Sequence, residues 1–200
     1  RNAEKGYSWA QRMLGERYRK GEGVRRSAQQ AEQWYRAAMA DMSLMDGGPE
    51  AAFALGVMYE QGEGVRKDLE EAKKLYMMAH EAGHRIATYN LGLLFEGKSG
   101  PATGVPDIEK AIKLYHQAAE SGFDQAQMQL GFYYSQGEGV EKDLTKAKAW
   151  SAKAVKQGNA EAMVCLAFVL EAMEGRAARP AVSLLFRAAV EKGRTRRAAT

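Results

Sequence analysis

Residues His80 to His84 read HEAGH and match the zinc-protease string H-E-x-x-H, in which two histidines hold a metal and the glutamate works on its bound water. That chemistry needs both histidines on one face of a single helix, together with a third ligand. Gly83 stands in register with Gly122 and Gly158, glycines placed to stop a helix, so His84 is expected beyond the helix that carries His80. Glu81 aligns with an ordinary Glu120, and no H-x-x-G-x-x-H extension follows. The two histidines therefore read as surface side chains near a helix C-terminus, where positive charge is tolerated.

The other reactive residue types lead to similar readings. The GEGV strings lack the G-x-x-x-x-G-K-[ST] pattern of a phosphate-binding loop and follow no strand, so they read as structural turns. Cys165 lies in an apolar helix with no histidine near it in sequence, as a packing cysteine would. His116 stands alone on its helix and reads as a solvated side chain. Lys192, Arg194, Arg196 and Arg197 form a basic cluster that suits either phosphates or an acidic partner, or else a solvated helix end; no aromatics interleave for base stacking. No catalytic, cofactor-binding or metal-ligating residue is assigned, and the chain is expected not to be an enzyme.

Length and composition set the frame for these residues. Two hundred residues, 46% of them hydrophobic, can bury a sizeable core. Few β-branched residues and many Ala, Glu, Lys, Leu and Gln favour helix. No run of 18 apolar residues is present, so no membrane span is expected. The lone cysteine makes an oxidising compartment unnecessary. The first residue, Arg1, is not methionine, which suggests a fragment or processed chain. By count, residues 1–40 carry +5, residues 41–174 carry −7 and residues 175–200 carry +6. Basic ends around an acidic middle do not make a uniform basic groove, so nucleic acid is not the expected partner.

Self-similarity supplies the architecture. GEGVRR (21–26), GEGVRK (62–67) and GEGVEK (137–142) each follow a Leu-Gly pair and a tyrosine: Leu14, Gly15 and Tyr18; Leu55, Gly56 and Tyr59; Leu130, Gly131 and Tyr134. Weaker copies are Leu91, Gly92 and Phe95, and Leu166, Ala167 and Leu170. Four residues before each leucine stands an alanine (Ala10, Ala51, Ala87, Ala126, Ala162), so the period is 36 with insertions of five and three. A second alanine series (Ala31, Ala72, Ala111, Ala147, with Val182 fifth) is followed at three and four places by bulky residues, except that Ser151 follows Trp150 in the fourth unit. Small residues recur at seven, and Gly83, Gly122, Gly158 and Gly193 are placed to close four units.

Spacings of three, four and seven define one helical face. Each unit is therefore helix A, a glycine loop, helix B and a stop. Trp34, Tyr35, Tyr76, Tyr115 and Trp150 are expected in the core. Phe53, Val57, Met128 and Phe132 lie on the far side of helix A and predict a helix sandwiched between neighbours. Gly62 is placed to end helix A in the left-handed conformation and Val65 to plug the core. Asp68 with Glu71, and Ser27 with Gln30, read as capping boxes; Asp107 and Asp143 cap without the reciprocal arm.

The pattern A-x-x-x-L-G-x-x-Y-x-x-G-x-G-V-x-x-D-x-x-x-A-x-x-L/W-Y-x-x-A resembles the Sel-one-like repeat (SLR) family, relatives of the tetratricopeptide repeats, from about Ser8 to Gly193. The resemblance implies an all-α, right-handed α-solenoid of about five helix-turn-helix repeats, with a scaffold or adaptor role. The expected organisation is one solenoid domain over residues 1–200, with repeats at 8–48, 49–83, 84–122, 123–158 and 159–193 and a basic tail at 194–200. The third repeat departs from the pattern at GKSGPATGVP (97–106), and the fifth lacks the glycine of the Leu-Gly pair.

The expected function is to bind another protein or peptide, without a cofactor, in a groove lined by helix A. Two series vary between units and are expected to be exposed: Gln11, Ala52, Thr88, Gln127 and Met163; and Met13, Ala54, Asn90, Gln129 and Cys165. Asn90 and Gln129 suit an extended peptide's backbone, with Gln127 beside them, and Glu60, Glu96 and Glu171 form an acidic row for a basic partner stretch. The insertions at 41–50 and 97–106 are either contact loops or tolerated drift. The alternative is a structural subunit or accessory domain of a larger assembly, docked through its basic ends.

Overall fold

The structure, a computed structural model, describes residues 2–42, 47–97 and 105–198, the last five through their backbone alone. The described residues contain ten α-helices, one 3-10 turn and no strand. They form two compact units, Arg1–Asp107 and Ile108–Thr200. The first holds α1 (Ser8–Lys20), α2 (Ala28–Ala38), α3 (Gly48–Gln61), α4 (Leu69–Glu81) and α5 (Arg85–Phe95). The second holds α6 (Ile108–Glu120), α7 (Asp124–Gln136), α8 (Leu144–Lys156), α9 (Ala160–Glu174) and α10 (Arg179–Ala198), with the 3-10 turn Gly175–Ala178 before α10. No described helix is long and apolar enough to cross a membrane. Most of insertion 97–106 (residues 98–104) and the middle of insertion 41–50 (residues 43–46) lie outside the described residues.

The helix pairs close because glycine lets their backbones approach. A β-carbon on Gly15 would lie 2.8 Å from the Tyr35 ring, and one on Gly131 would lie 2.2 Å from Ser151 Oγ. Tyr35 and Tyr76, which face Gly15 and Gly56, are fully buried, as is Tyr115, whereas Trp34 and Trp150 are only half-buried. Where Ala167 replaces the glycine, Phe186 takes the tyrosine's place; it stays half-buried and packs edge-on against Phe168, 5.7 Å between centroids. In the first unit, Ala31, Tyr35, Ala51, Leu55, Met58 and Leu75 form the core, and Val65 packs against it as the plug reading requires.

The loop glycines do two jobs. Gly21, Gly62 and Gly137 end helices A with φ of 80°, 72° and 77°. The second glycine touches the preceding repeat: a β-carbon on Gly64 would meet Ala28 Cβ at 2.4 Å, and one on Gly139 would meet Ile108 Cγ2 at 2.6 Å.

Ser27, Asp68 and Asp143 cap their helices, each accepting from the backbone N–H three residues on. The reciprocal arm of the capping box is absent at Ser27 and Asp68, because their own N–H groups donate to Tyr18 O at 2.9 Å and Tyr59 O at 3.0 Å. The N–H groups of Asp107 and Asp143 do the same with Phe95 O and Tyr134 O. Glu71, freed from that duty, pairs instead with Arg36 at 3.3 Å and Lys74 at 3.4 Å.

Gly193 does not close the fifth unit. It has no positive φ and lies inside α10, which runs on to Ala198. A helix-interior glycine costs only about 1 kcal/mol, and the residues after it are good helix formers.

A candidate protein-interaction surface

The histidines of HEAGH do not share a helix. His80 ends α4, and its Nδ1 lies 2.9 Å from Thr88 Oγ1. His84 caps α5: its Nδ1 accepts from Ala87 N at 3.1 Å and its ring stacks on Phe53, 4.8 Å between centroids. His84 is thus the cap of the next helix rather than a solvated group behind α4. Burial pushes its pKa below the usual histidine value, as befits a neutral acceptor. His116 is not solvated either. Its Nε2 sits 3.0 Å from the Tyr134 hydroxyl and its ring meets Trp150 edge-on, and burial lowers its pKa as well. Cys165 accepts from Ser151 Oγ at 3.3 Å, and burial pushes its thiol up, away from a thiolate nucleophile.

The two series expected to be exposed lie instead on the seam between helix A and the helix B before it. Ala52, Thr88, Gln127 and Met163 are all buried. Gln127 donates to Ala119 O at 3.1 Å and accepts from Gln157 at 2.9 Å, so its amide is spent on holding helices together. Gln129 is also buried, at 7% exposure. Asn90 is half-buried and donates to the Tyr76 hydroxyl at 3.4 Å, while Met13 on α1 is exposed. The reason is geometric. A helix packed against two neighbours buries positions one and three after the alanine as well as the Leu-Gly stripe. Variation along these series follows the identity of the preceding helix: Thr88 answers His80, Gln127 answers the end of α6, and Cys165 answers Ser151.

What remains outward on helix A is the set taken from the sequence as a second buried face. Phe53 and Val57 on α3, with Tyr89 and Leu93 on α5, are half-buried. In the second unit Met128 and Val164 are half-buried, and Phe132 and Phe168 are 41% and 59% exposed. Three of these four outward pairs are followed three residues later by an acidic residue, half-buried Glu60 and Glu96 and exposed Glu171, and the fourth by Ser135. Glu60 accepts from the Tyr76 hydroxyl at 2.6 Å. Burial, then the adjacent carboxylate, raises that phenol's pKa far above its usual value, so Tyr76 remains a donor. Glu60 and Asn90, from neighbouring repeats, thus meet at one hydroxyl. The signal was present on α3, α5 and α9 as apolar, apolar and acidic residues at two, six and nine after the helix-A alanine; α7 has Ser135 at the last place, and α1 has Arg12, Glu16 and Arg19 instead.

The Sel1 repeat family model matches residues 8–40, 49–84, 85–123 and 124–159. The chain belongs to the Sel1 repeat family. Sel1 repeat proteins are generally non-catalytic scaffolds for protein–protein interaction. Among solved structures, the chain is similar to a protective antigen present in uropathogenic Escherichia coli strains, which displays an SLR fold: 31% identity, TM-score 0.82, covering 96% of this chain and 39% of that one. It is also similar to a Sel1 repeat protein from Oxalobacter formigenes, with 30% identity and TM-score 0.79 over 94% of this chain and 74% of that one. A Pseudomonas aeruginosa protein at 21% identity and TM-score 0.55 shares the fold. The chain thus spans well under half of the Escherichia coli antigen. No curated protein matches it. The fifth helix pair lies beyond the residues that the Sel1 repeat model matches.

Proposed function

We propose that this chain is a non-catalytic scaffold that holds a partner protein's segment on the outward faces of its A helices. One observation carries the reading. The same stripe, two apolar side chains and then a carboxylate, recurs on α3, α5 and α9 with its apolar members partly open to solvent. Apolar contact supplies affinity and the carboxylates select for basic residues, so the favoured segment alternates aliphatic or aromatic residues with Lys or Arg. Asn90 uses one of its amide donors on Tyr76 and offers the rest of the amide to a peptide backbone. Glu60, Glu96, Glu171 and Asn90 are the polar contacts. Gln127 and Gln129 act through the seam that sets helix-A spacing.

The test is capture of partners by the full chain, identified by mass spectrometry, beside the variant Glu60→Gln/Glu96→Gln/Phe132→Ser. The amide introduced at position 60 retains an acceptor for Tyr76. Loss of the captured partner with an unchanged helical spectrum, and weakening of the wild-type complex by salt, supports the reading. Equal capture by both proteins overturns it.

A further inference from the structure

Each helix B turns one face away from both the A helices it packs on. By helical spacing, that face holds the positions one before and two, six and nine after the helix-B alanine. On α4 they are Glu71, Lys74, Met78 and Glu81, and on α6 Lys110, Lys113, Gln117 and Glu120, so both rows mix charges. On α8 they are Lys146, Ala149, Lys153 and Lys156, all exposed and with no carboxylate among them. Lys148, by contrast, turns to the seam and pairs with Glu174 of α9 at 3.3 Å.

The same row on α10 is Ala181, Leu184, Ala188 and Glu191. Leu184 is 71% exposed. Its exposure belongs to the position and not to the end of the array. Gln33, Lys74, Lys113 and Ala149 hold the same place on α2, α4, α6 and α8, each with a further helix A behind it, and all four are exposed. Those residues are polar or small, and α10 alone puts a large apolar side chain there. The rows of α8 and α10 together carry three lysines, one protruding leucine and one carboxylate, Glu191. Lys192 Nζ would lie 3.4 Å from a β-carbon on Gly158, which brings a further amine to the end of α8.

This combination selects among anionic partners. Nucleic acid would use the lysines and leave the leucine idle, and the ring beside them, Trp150, already has Lys153 Nζ 3.8 Å from its centre. A folded acidic partner would need a pocket shaped for Leu184. An anionic bilayer uses both groups, the ammoniums meeting phosphate headgroups while the leucine enters the acyl boundary.

We infer that the outer face of α8 and α10 docks on an anionic membrane surface, with Lys146, Lys153 and Lys156 on lipid phosphates and Leu184 inserted beneath them. The contact is peripheral, because no described helix is long and apolar enough to cross the bilayer. It uses the B helices, so the inference does not rest on the function proposed for the outward faces of the A helices.

The probes are vesicles of phosphatidylcholine alone and of phosphatidylcholine with an equal part of phosphatidylglycerol. The full chain should co-sediment with the mixed vesicles and not with the neutral ones, and salt should weaken the binding. Lys146→Glu/Lys153→Glu/Lys156→Glu should weaken it at least about tenfold. The same number of reversals in the first unit, Arg66→Glu/Lys67→Glu/Lys74→Glu, should leave it within about twofold. Leu184→Ser should weaken it about tenfold, the loss of one buried apolar side chain. All these positions are exposed, so the variants should keep the wild-type melting curve. Equal loss in the two charge-reversal variants overturns the inference, since net charge and not this face would be the attraction. So does an absence of vesicle binding, or binding indifferent to Leu184→Ser. Tighter binding to duplex DNA than to the mixed vesicles, lost in the α8 variant, also overturns it and gives the lysines to a nucleic acid.

Discussion

Gly56 lies so close to the ring of Tyr76 that a β-carbon on it would sit 2.6 Å from Cε1 and 2.8 Å from Cδ1. The ring is fully buried and its hydroxyl is anchored on Glu60, so it cannot swing aside. The glycine of the Leu-Gly pair is therefore a packing requirement, although an interior glycine weakens a helix.

Gly56→Ala should destabilise the protein by about 1–3 kcal/mol, overpacking outweighing the gain in helix propensity. Gly193→Ala should do the opposite, stabilising by about 0.5–1 kcal/mol, because that glycine lies inside α10 with nothing within 4 Å of an added β-carbon. Urea unfolding of both variants checks the pair; shifts of the same sign would refute the assignment.

Leu55→Ala should cost about 2–5 kcal/mol, since Leu55 is fully buried in the core of the first unit. Lys67→Ala, at an exposed loop position, should cost under about 0.5 kcal/mol. Comparable losses of melting temperature in the two variants would show the core to be misplaced.

Stability should fall on mild acidification. The folded pKa of His84 lies below its ordinary 6.5, so the unfolded chain binds the proton more readily. The stabilisation is complete above about 6.5 and is lost as pH falls from there toward the lower folded value. A protonated Nδ1 also cannot accept from Ala87 N. His84→Asn, which caps without titrating, should flatten part of the slope between pH 7 and 5, leaving the share of His116, whose pKa is lowered in the same sense. An unchanged slope in chemical denaturation would exclude the cap role.

A second, more acidic loss should trace to Glu16. The hydrogen bond from Arg19 comes first among the interactions that hold its carboxyl at about 2, against an ordinary 4.5, with further bonds from Tyr35 and Lys20. The folded value lies below the unfolded one, so the contribution is present above about 4.5 and disappears as pH falls toward 2. Glu16→Gln should lower stability at neutral pH and remove this part of the acid transition, as calorimetry between pH 5 and 2 would show.

The repeat grid was legible in residue spacing alone, because an α-helix returns to the same face every three or four residues and glycine marks where the chain must turn. That logic located the Leu-Gly pairs, the capping residues Ser27, Asp68 and Asp143, and the buried tyrosines. It also separated His80 from His84. Periodicity assigns residues to faces of a helix, however, and does not say which neighbour each face meets. Helix A has three faces to dispose of: its own helix B, the preceding helix B and the outside. Thr88 and Gln127 are polar and vary between units, which in a sequence looks like surface, yet each meets a hydrogen-bond partner on the preceding helix. Phe132 and Phe168 are apolar, which looks like core, yet they face outward. Only the packing of one repeat on the next decided these cases, because a buried polar group is tolerated where a partner awaits it and an apolar group stays exposed where none covers it.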